Sequence, residues 1–296
     1  MKKKIKLIAI IAIIGFAMLT CNDDGDGLPT SCTNHDWGEL TQTTAPDCTT
    51  EGEKTQTCKN SGCNTVNPDT KEIVNALGHD GIWTVTNSTT FPATSTGTCF
   101  RCSVTSRETQ IGDTGPAGGK IIYIAPTIAG FEVTSTTAAF TTYTAYYLEA
   151  APADAFGGTG EHLIIRWSTI GSNIPTPPDV VGTGLAIGSG RNNTALIIAA
   201  EKEVFLSDTY IYAALACDNY SIADFNDWFL PSRDELNQLY LRRTDFGLLP
   251  FSYYWSSSQY AVTLAWAQFF DDGSLGLTQG GFAKDNFSNV RAVRAF

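Results

Sequence analysis

The spacing of apolar and polar residues changes character three times along the chain. Behind Lys2, Lys3, Lys4 and Lys6 the stretch from Leu7 to Leu19 is apolar, relieved only by small residues. A basic start followed by an apolar run of this length fits a signal peptide and is short for a stable membrane span. From there to about residue 109 apolar residues are sparse. Where they occur they alternate, as in Trp83-Thr84-Val85-Thr86, which predicts short β-hairpins with little core of their own.

Beyond residue 110 the pattern thickens. A Gly/Pro turn at Gly112, Gly115 and Gly118 delivers a strand from Lys120 to Ile124. Helices are predicted from about Asn193 to Phe205 and from about Tyr210 to Cys217, with Cys217 on a buried Ala/Leu face. Trp228, Phe229 and Leu230 form a buried strand or turn that Pro231 ends, and Ser232 then caps a helix. Glu235 completes the capping box, and Leu236, Leu239 and Tyr240 fall on one helical face. Strands follow around Tyr254-Trp255 and Ala265 to Phe270, the latter centred on Trp266, with a hairpin turn at Asp271-Asp272-Gly273. The final strand brings Arg291 and Arg294, expected to pair with carboxylates among Asp224, Asp227, Asp234 and Glu235.

Composition sharpens this division. Of 296 residues, eight are cysteine, and seven of those precede residue 110, whereas four of the six tryptophans follow it. Cys21 stands where the apolar run meets Asn22-Asp23-Asp24, which suggests lipoprotein processing with Cys21 as the acylated residue. The expected organisation is a signal peptide over 1–21, a linker over 22–30, two Cys-rich β repeats over 31–109 and a C-terminal domain over 110–296. The formal charge of -11 becomes -15 once the four lysines of the first 20 residues are removed. Such a surface repels polyanions and argues against nucleic acid as a partner.

The two repeats align as His35-Asp36-Trp37, Thr43 to Pro46, Gly52, Cys58 and Cys63, and as His79-Asp80, Trp83, Thr89 to Pro92, Gly97, Cys99 and Cys102. His to His is 44 residues, and Trp to Trp and Pro to Pro are both 46. Self-similarity of that period indicates repeated supersecondary units. Cys32, Cys48, Cys58, Cys63, Cys99 and Cys102 serve either as disulfides, with Cys58–Cys63 and Cys99–Cys102 the simplest pairs, or as zinc ligands. For zinc, Cys32 and His35 with Cys58 and Cys63 supply a full tetrahedral set, while His79, Cys99 and Cys102 are one ligand short.

Three signatures, DWFLPSRDELNQLY (Asp227 to Tyr240), YWSSSQY (Tyr254 to Tyr260) and VRAVRAF (Val290 to Phe296), together resemble the Lcl C-terminal domain family of collagen-like bacterial adhesins. The opening GDTGPAGGKIIYIA and the later YYLEAAPAD extend that resemblance over roughly 110–296. It implies adhesion, in part through sulfated polysaccharides, a ligand that the acidic balance here disfavours. The motif order also resembles the C-type-lectin-like and formylglycine-generating-enzyme-like group, so the expected fold class is α+β.

Catalytic readings find little support in the residues. No cysteine follows Cys217, so formylglycine-generating chemistry lacks its thiol pair, and the sole histidine of the domain, His162, lies away from Ser256 to Ser258 in sequence. The lectin triplets that bind calcium and sugar do not occur, and calcium at Asp271, Asp272 and Asp285 competes with a plain hairpin turn. Gly182, Gly184, Gly188 and Gly190 lack the strand and acidic residue of a dinucleotide fingerprint. In the C-terminal domain no catalytic residue, resident metal or cofactor is therefore expected. The expectation is an exported, lipid-anchored envelope protein at the outer surface, whose C-terminal domain binds an extracellular glycan or protein, with a homo-oligomer left open. A self-assembling structural envelope component is the alternative, with a cryptic hydrolase behind it.

Overall fold

The computed structural model describes residues 35–60, 63, 65–155, 164–168, 177–204, 211–246, 252–271 and 279–296. The chain divides into two compact units, Met1–Leu77 and Gly78–Phe296. In the first, β1 (Thr41–Thr44), β2 (Gly52–Thr55) and β3 (Glu72–Val74) form a three-stranded antiparallel meander. Its strands are polar: Lys54 pairs with Glu72 at 2.8 Å, and Lys71 pairs with Glu53. Among its described residues the only buried apolar side chains are Cys48, Cys58 and Cys63, while Leu40, Val66, Ile73 and Leu77 are exposed. Sulfur stands where a core would be.

The second unit opens with a similar meander of β4 (Trp83–Asn87), β5 (Thr94–Gly97) and β6 (Ser106–Glu108). Strands β7 (Lys120–Ile124), β8 (Phe131–Val133), β9 (Tyr143–Ala145), β10 (Tyr147–Ala150) and β11 (Ile165–Arg166) follow. Then come α1 (Gly190–Val204), α2 (Ala213–Asp218) and α3 (Arg233–Leu241), with a 3-10 turn at Arg243–Phe246. Strands β12 (Ser252–Ala261), β13 (Leu264–Phe270), β14 (Gln279–Ala283), β15 (Phe287–Ser288) and β16 (Val293–Ala295) finish the chain.

Sheet pairing explains how the ends meet. The last strand, β16, pairs antiparallel with β10, which also pairs with β7, and β12-β13-β14 forms a separate meander. Two-stranded pairs β8-β9 and β11-β15 complete the set. The core gathers around Trp167, Trp228 and Trp255 on one side of β12, and around Phe229, Leu236, Leu239, Tyr254 and Val293 on the other. Strand β12 is buried from Tyr254 to Ser258 because it runs between these clusters.

The architecture corrects the α+β, C-type-lectin-like and formylglycine-generating-enzyme-like expectation. The described residues are mainly β: sixteen strands in six small antiparallel sheets, against three α-helices. The physical reason lies in strand length. Most of these strands have two to five residues, and they join into separate small sheets through pairings that the order of motifs does not reveal. The individual helices and longer strands lie close to where their patterns place them, α1 starting three residues earlier than expected.

The second repeat packs within the second unit. Val85 and Ala93 cluster with Ile121 and Tyr147, the Ala93 N–H donates to the Tyr147 hydroxyl at 2.7 Å, and Arg107 clasps Asp113 at 2.7 Å. A fragment of residues 78–296 should therefore melt cooperatively at a higher temperature than one of residues 110–296, which bares Tyr147 and Ile121. Equal melting temperatures for the two fragments would show that these contacts add nothing.

Candidate functional site

Four of the five motif segments of the C-terminal domain converge on one arginine. Arg294, 6% exposed in β16, donates to both carboxylate oxygens of Asp227 (2.8 and 3.1 Å) and to Glu149 at 3.2 Å. Asp227 belongs to the segment entering Trp228, and Glu149 to β10. The Gly/Pro turn at 112–119 wraps the same carboxylate: the Ala117 and Gly119 N–H groups donate to Glu149 at 3.0 and 2.8 Å. A Cβ on Gly115 would stand 2.3 Å from the Glu149 carboxyl carbon, so only glycine fits there. Burial raises the Glu149 pKa, against the pull of Gly119 and Arg294. Arg291 reaches Asp154 at 2.6 Å, and the Tyr254 hydroxyl donates to that same carboxylate. Asp227 was thus among the expected partners, and Glu149 and Asp154 were not.

A second carboxylate organises the helix entries. Ser232 caps α3 with the full capping box, the Ser232 N–H donating to Glu235 at 2.7 Å. Glu235 also accepts from the Gly188 N–H at 2.7 Å and from Gly190, at the start of α1. A Cβ on Gly190 would lie 2.2 Å from that carboxylate. Gly188 and Gly190 thus enclose a side chain of this same protein. Around this corner Trp228 is buried against Tyr220, and the Pro231 carbonyl accepts from the Ser257 N–H at 2.7 Å. The Trp255 indole donates to the Ile165 carbonyl at 2.9 Å, and Trp266 lies between Tyr260 and Arg233.

The serines that a hydrolase would need are committed elsewhere. Ser256, Ser257 and Ser258 are fully buried. Ser256 donates to the Trp266 carbonyl, Ser258 to the Gly184 carbonyl, and Ser257 accepts from Asn193. Asp271 is buried and accepts from the Tyr240 hydroxyl at 2.7 Å. Asp272, His162, Cys21 and Cys32 lie outside the described residues. Cys217 is fully buried, as its apolar face predicts, and burial raises its thiol pKa.

One open feature could take a ligand. A groove of about 340 Å³ runs between the segment after β8 and the loop leading into α1. It is lined by Glu132, Thr134, Thr136, Gly184, Ser189 and Asn192, among others, with no lysine or arginine. The Asn192 side-chain oxygen accepts from the Thr136 N–H and hydroxyl at 2.8 and 2.9 Å. Its Nδ2 has no partner among the described residues. Asn193 fixes the opposite wall by donating to the Gly184 carbonyl at 2.7 Å and accepting from the Gly184 N–H at 2.8 Å. Sequence reasoning missed this groove because its two walls lie some fifty residues apart, in segments without a shared pattern.

The cysteines of the repeats lie close together, yet none of the six described cysteines is joined in a disulfide, which corrects the expected Cys58–Cys63 and Cys99–Cys102 bonds. In the first unit Cys48 is buried, and Cys63 Sγ lies 3.4 Å from His35 Nδ1 with Cys58 beside them. In the second, Cys102 Sγ lies 3.3 Å from His79 Nδ1 with Cys99 beside them. Burial pushes the Cys99 thiol up, but the Arg101 N–H, His79 and Cys102 outweigh it and leave the group at about 6. Either trio could hold a metal ion.

No protein-family model matches the chain, and no curated protein does. The crystal structure of a fimbrial protein from Bacteroides ovatus aligns over 84% of this chain and 57% of that one, at 14% identity and a TM-score of 0.40. The chain thus spans just over half the length of that protein, and a likeness this slight carries no weight for fold or function.

Glu235 offers a pH test of the corner. Burial pushes its carboxyl up to about 7, against the pull of the Ser232, Gly188 and Gly190 amides. An unfolded glutamate titrates near about 4.3, so between those values the folded chain holds the extra proton. Its stabilising contribution is complete below the lower value and is lost as pH rises through the upper. The stability gap between wild type and Glu235→Gln, read by chemical denaturation, should therefore shrink from pH 5 to pH 7.5. A gap that widens over that interval would mean the carboxylate is bound ionised.

Proposed function

We propose that this chain is an exported envelope lipoprotein, held to the membrane by an acylated Cys21, whose C-terminal residues bind an uncharged extracellular glycan without catalysis. The observation that carries the reading is the groove at 132–136 and 182–193, whose hydroxyls, amides and one carboxylate stand beside glycine backbone, Ala186 and Ile187. Such walls exchange hydrogen bonds with sugar hydroxyls, and the lack of lysine or arginine among them leaves nothing to neutralise sulfate or phosphate. The acidic balance of 110–296, 10 basic against 18 acidic side chains, disfavours polyanionic ligands in the same sense. The backbone commitments of Ser256 to Ser258 favour binding over hydrolysis. Support for export is the basic and apolar N-terminal stretch, and the Lcl-like motifs add the adhesive role. Among the described residues no helix is long and apolar enough to cross a membrane.

Thr134 is exposed on the groove wall, and its hydroxyl donates to Glu132 at 2.7 Å. Thr134→Trp should fill the groove and reduce binding on a neutral-glycan array at least tenfold while leaving the melting temperature within about 2 °C of wild type. Unchanged glycan binding by this variant would move the ligand elsewhere. A wild-type chain that binds no glycan but forms concentration-dependent oligomers would replace the reading with self-assembly.

The anchor is tested separately. Cys21→Ala should shift the protein from the detergent phase to the aqueous phase on Triton X-114 partition and abolish labelling by a palmitate analogue. Retention and labelling equal to wild type would exclude Cys21 as the acylated residue.

A further inference from the structure

We propose that each Cys-rich repeat carries a structural site for a thiophilic divalent cation, zinc foremost, held by two thiolates and one imidazole: His35, Cys58 and Cys63 in the first unit, His79, Cys99 and Cys102 in the second. The ligand atoms of each trio lie within 4.8 Å of one another. Tetrahedral zinc, with Zn–S of about 2.3 Å and Zn–N of about 2.0 Å, sets its ligand atoms roughly 3.5–3.8 Å apart. The Sγ to Nδ1 separations of 3.4 Å for Cys63–His35 and 3.3 Å for Cys102–His79 are close to that spacing. The fourth position is left to a further donor or to water.

The same arrangement occurs twice on matching scaffolds. In the first repeat the Lys59 N–H donates to the Asp36 carbonyl at 2.7 Å and the Cys58 N–H to the Thr65 carbonyl at 3.0 Å. In the second, the Phe100 N–H donates to the Asp80 carbonyl at 2.7 Å and the Cys99 N–H to the Val104 carbonyl at 3.2 Å. The loop between the cysteines holds four residues in one copy and two in the other, yet the second sulfur meets the imidazole at nearly the same distance. What the two copies share is the geometry of the three donors.

Histidine is what separates a metal site from a disulfide. Joining Cys58 to Cys63, or Cys99 to Cys102, would use both sulfurs and leave an imidazole nitrogen beside them without a role. A tryptophan orients each ring: His35 stacks on Trp37 with centroids 4.6 Å apart, and His79 lies 6.0 Å from Trp83. The Arg101 N–H approaches Cys99 Sγ at 3.4 Å, the kind of outer-shell donor that steadies a metal-bound thiolate. The first unit also needs a crosslink, since its only buried apolar side chains among the described residues are cysteines. A unit of that size without a core depends on metal or covalent staples. On binding, each thiol gives its proton to solvent and each imidazole binds as the neutral ring.

The test uses the full-length chain, purified in detergent and handled under argon. Elemental analysis should find about two zinc ions per chain. Cobalt exchange should give the visible bands of tetrahedral Co(II) with sulfur-to-metal charge transfer, a readout that does not depend on any variant. His35→Ala and His79→Ala should each lower the metal content to about one ion per chain. Chelation should release the metal and make all four cysteines of the trios reactive to alkylation. A chain carrying no metal, with a non-reduced mass two hydrogens lighter for each of the pairs Cys58–Cys63 and Cys99–Cys102, would overturn the proposal. So would cobalt spectra without charge transfer.

Discussion

The guanidinium of Arg294 is the point on which the C-terminal architecture turns. It sits in the last strand, almost fully buried, and is balanced by Asp227 on one side and Glu149 on the other. Removing a charge of this kind from water is expensive, and the attraction between partners repays it only when the remaining donors and acceptors are also met. Here they are met by the Gly/Pro turn, whose Ala117 and Gly119 amides hold Glu149, and by the bidentate grip on Asp227. The final strand cannot leave β10 without baring two carboxylates, and the segment entering Trp228 cannot shift without breaking the fork.

Glu235 repeats the same logic at the helix entries. Its carboxylate accepts from Ser232 on its own helix and from Gly188 and Gly190 at the entry to the other, so one side chain fixes the relation between α1 and α3. That relation places the loop of residues 182–189 and hence one wall of the groove. The opposite wall is tied in through Asn192, which takes both hydrogens offered by Thr136. The candidate site is therefore shaped by buried polar contacts that lie behind it. A change at Glu235 would be felt in the groove through the loop, without any contact between Glu235 and a ligand.

Much of this was legible locally and little of it at long range. The capping box at Ser232 and Glu235, the helical face of Leu236, Leu239 and Tyr240, the strand from Lys120 to Ile124 and the burial of Cys217 all follow from spacings within a few residues, which is the range over which side-chain periodicity speaks. The partners of the terminal arginines were legible only in part, because a carboxylate 145 residues away, as Glu149 is from Arg294, leaves no mark on local pattern. The fold class failed for a related reason: six small sheets of short strands declare themselves through pairing, and pairing is not written in any single strand. The glycines at 182–190 invite comparison only with a nucleotide loop, and the close passage of Gly188 and Gly190 around a carboxylate left no mark in the sequence. The groove was invisible because neither of its walls is unusual alone.

The repeat segment and the C-terminal residues solve the same problem by opposite means. Around Arg294 the chain has enough aromatic and aliphatic surface to bury charge and still gain from folding, with Trp167, Trp228 and Trp255 all but removed from solvent. Among the described residues of the first unit there is no such surface, and the exposed strand residues gain only what solvated pairs such as Lys54–Glu72 can give, at most about 1 kcal/mol. Meanders of three to five residues per strand are marginal on those terms. If the proposed metal sites form, the order of that unit draws on bonds that sulfur and imidazole make, beyond its short ladder. Its stability would then follow the metal content of its surroundings, whereas that of the C-terminal residues follows the pairing of their buried charges.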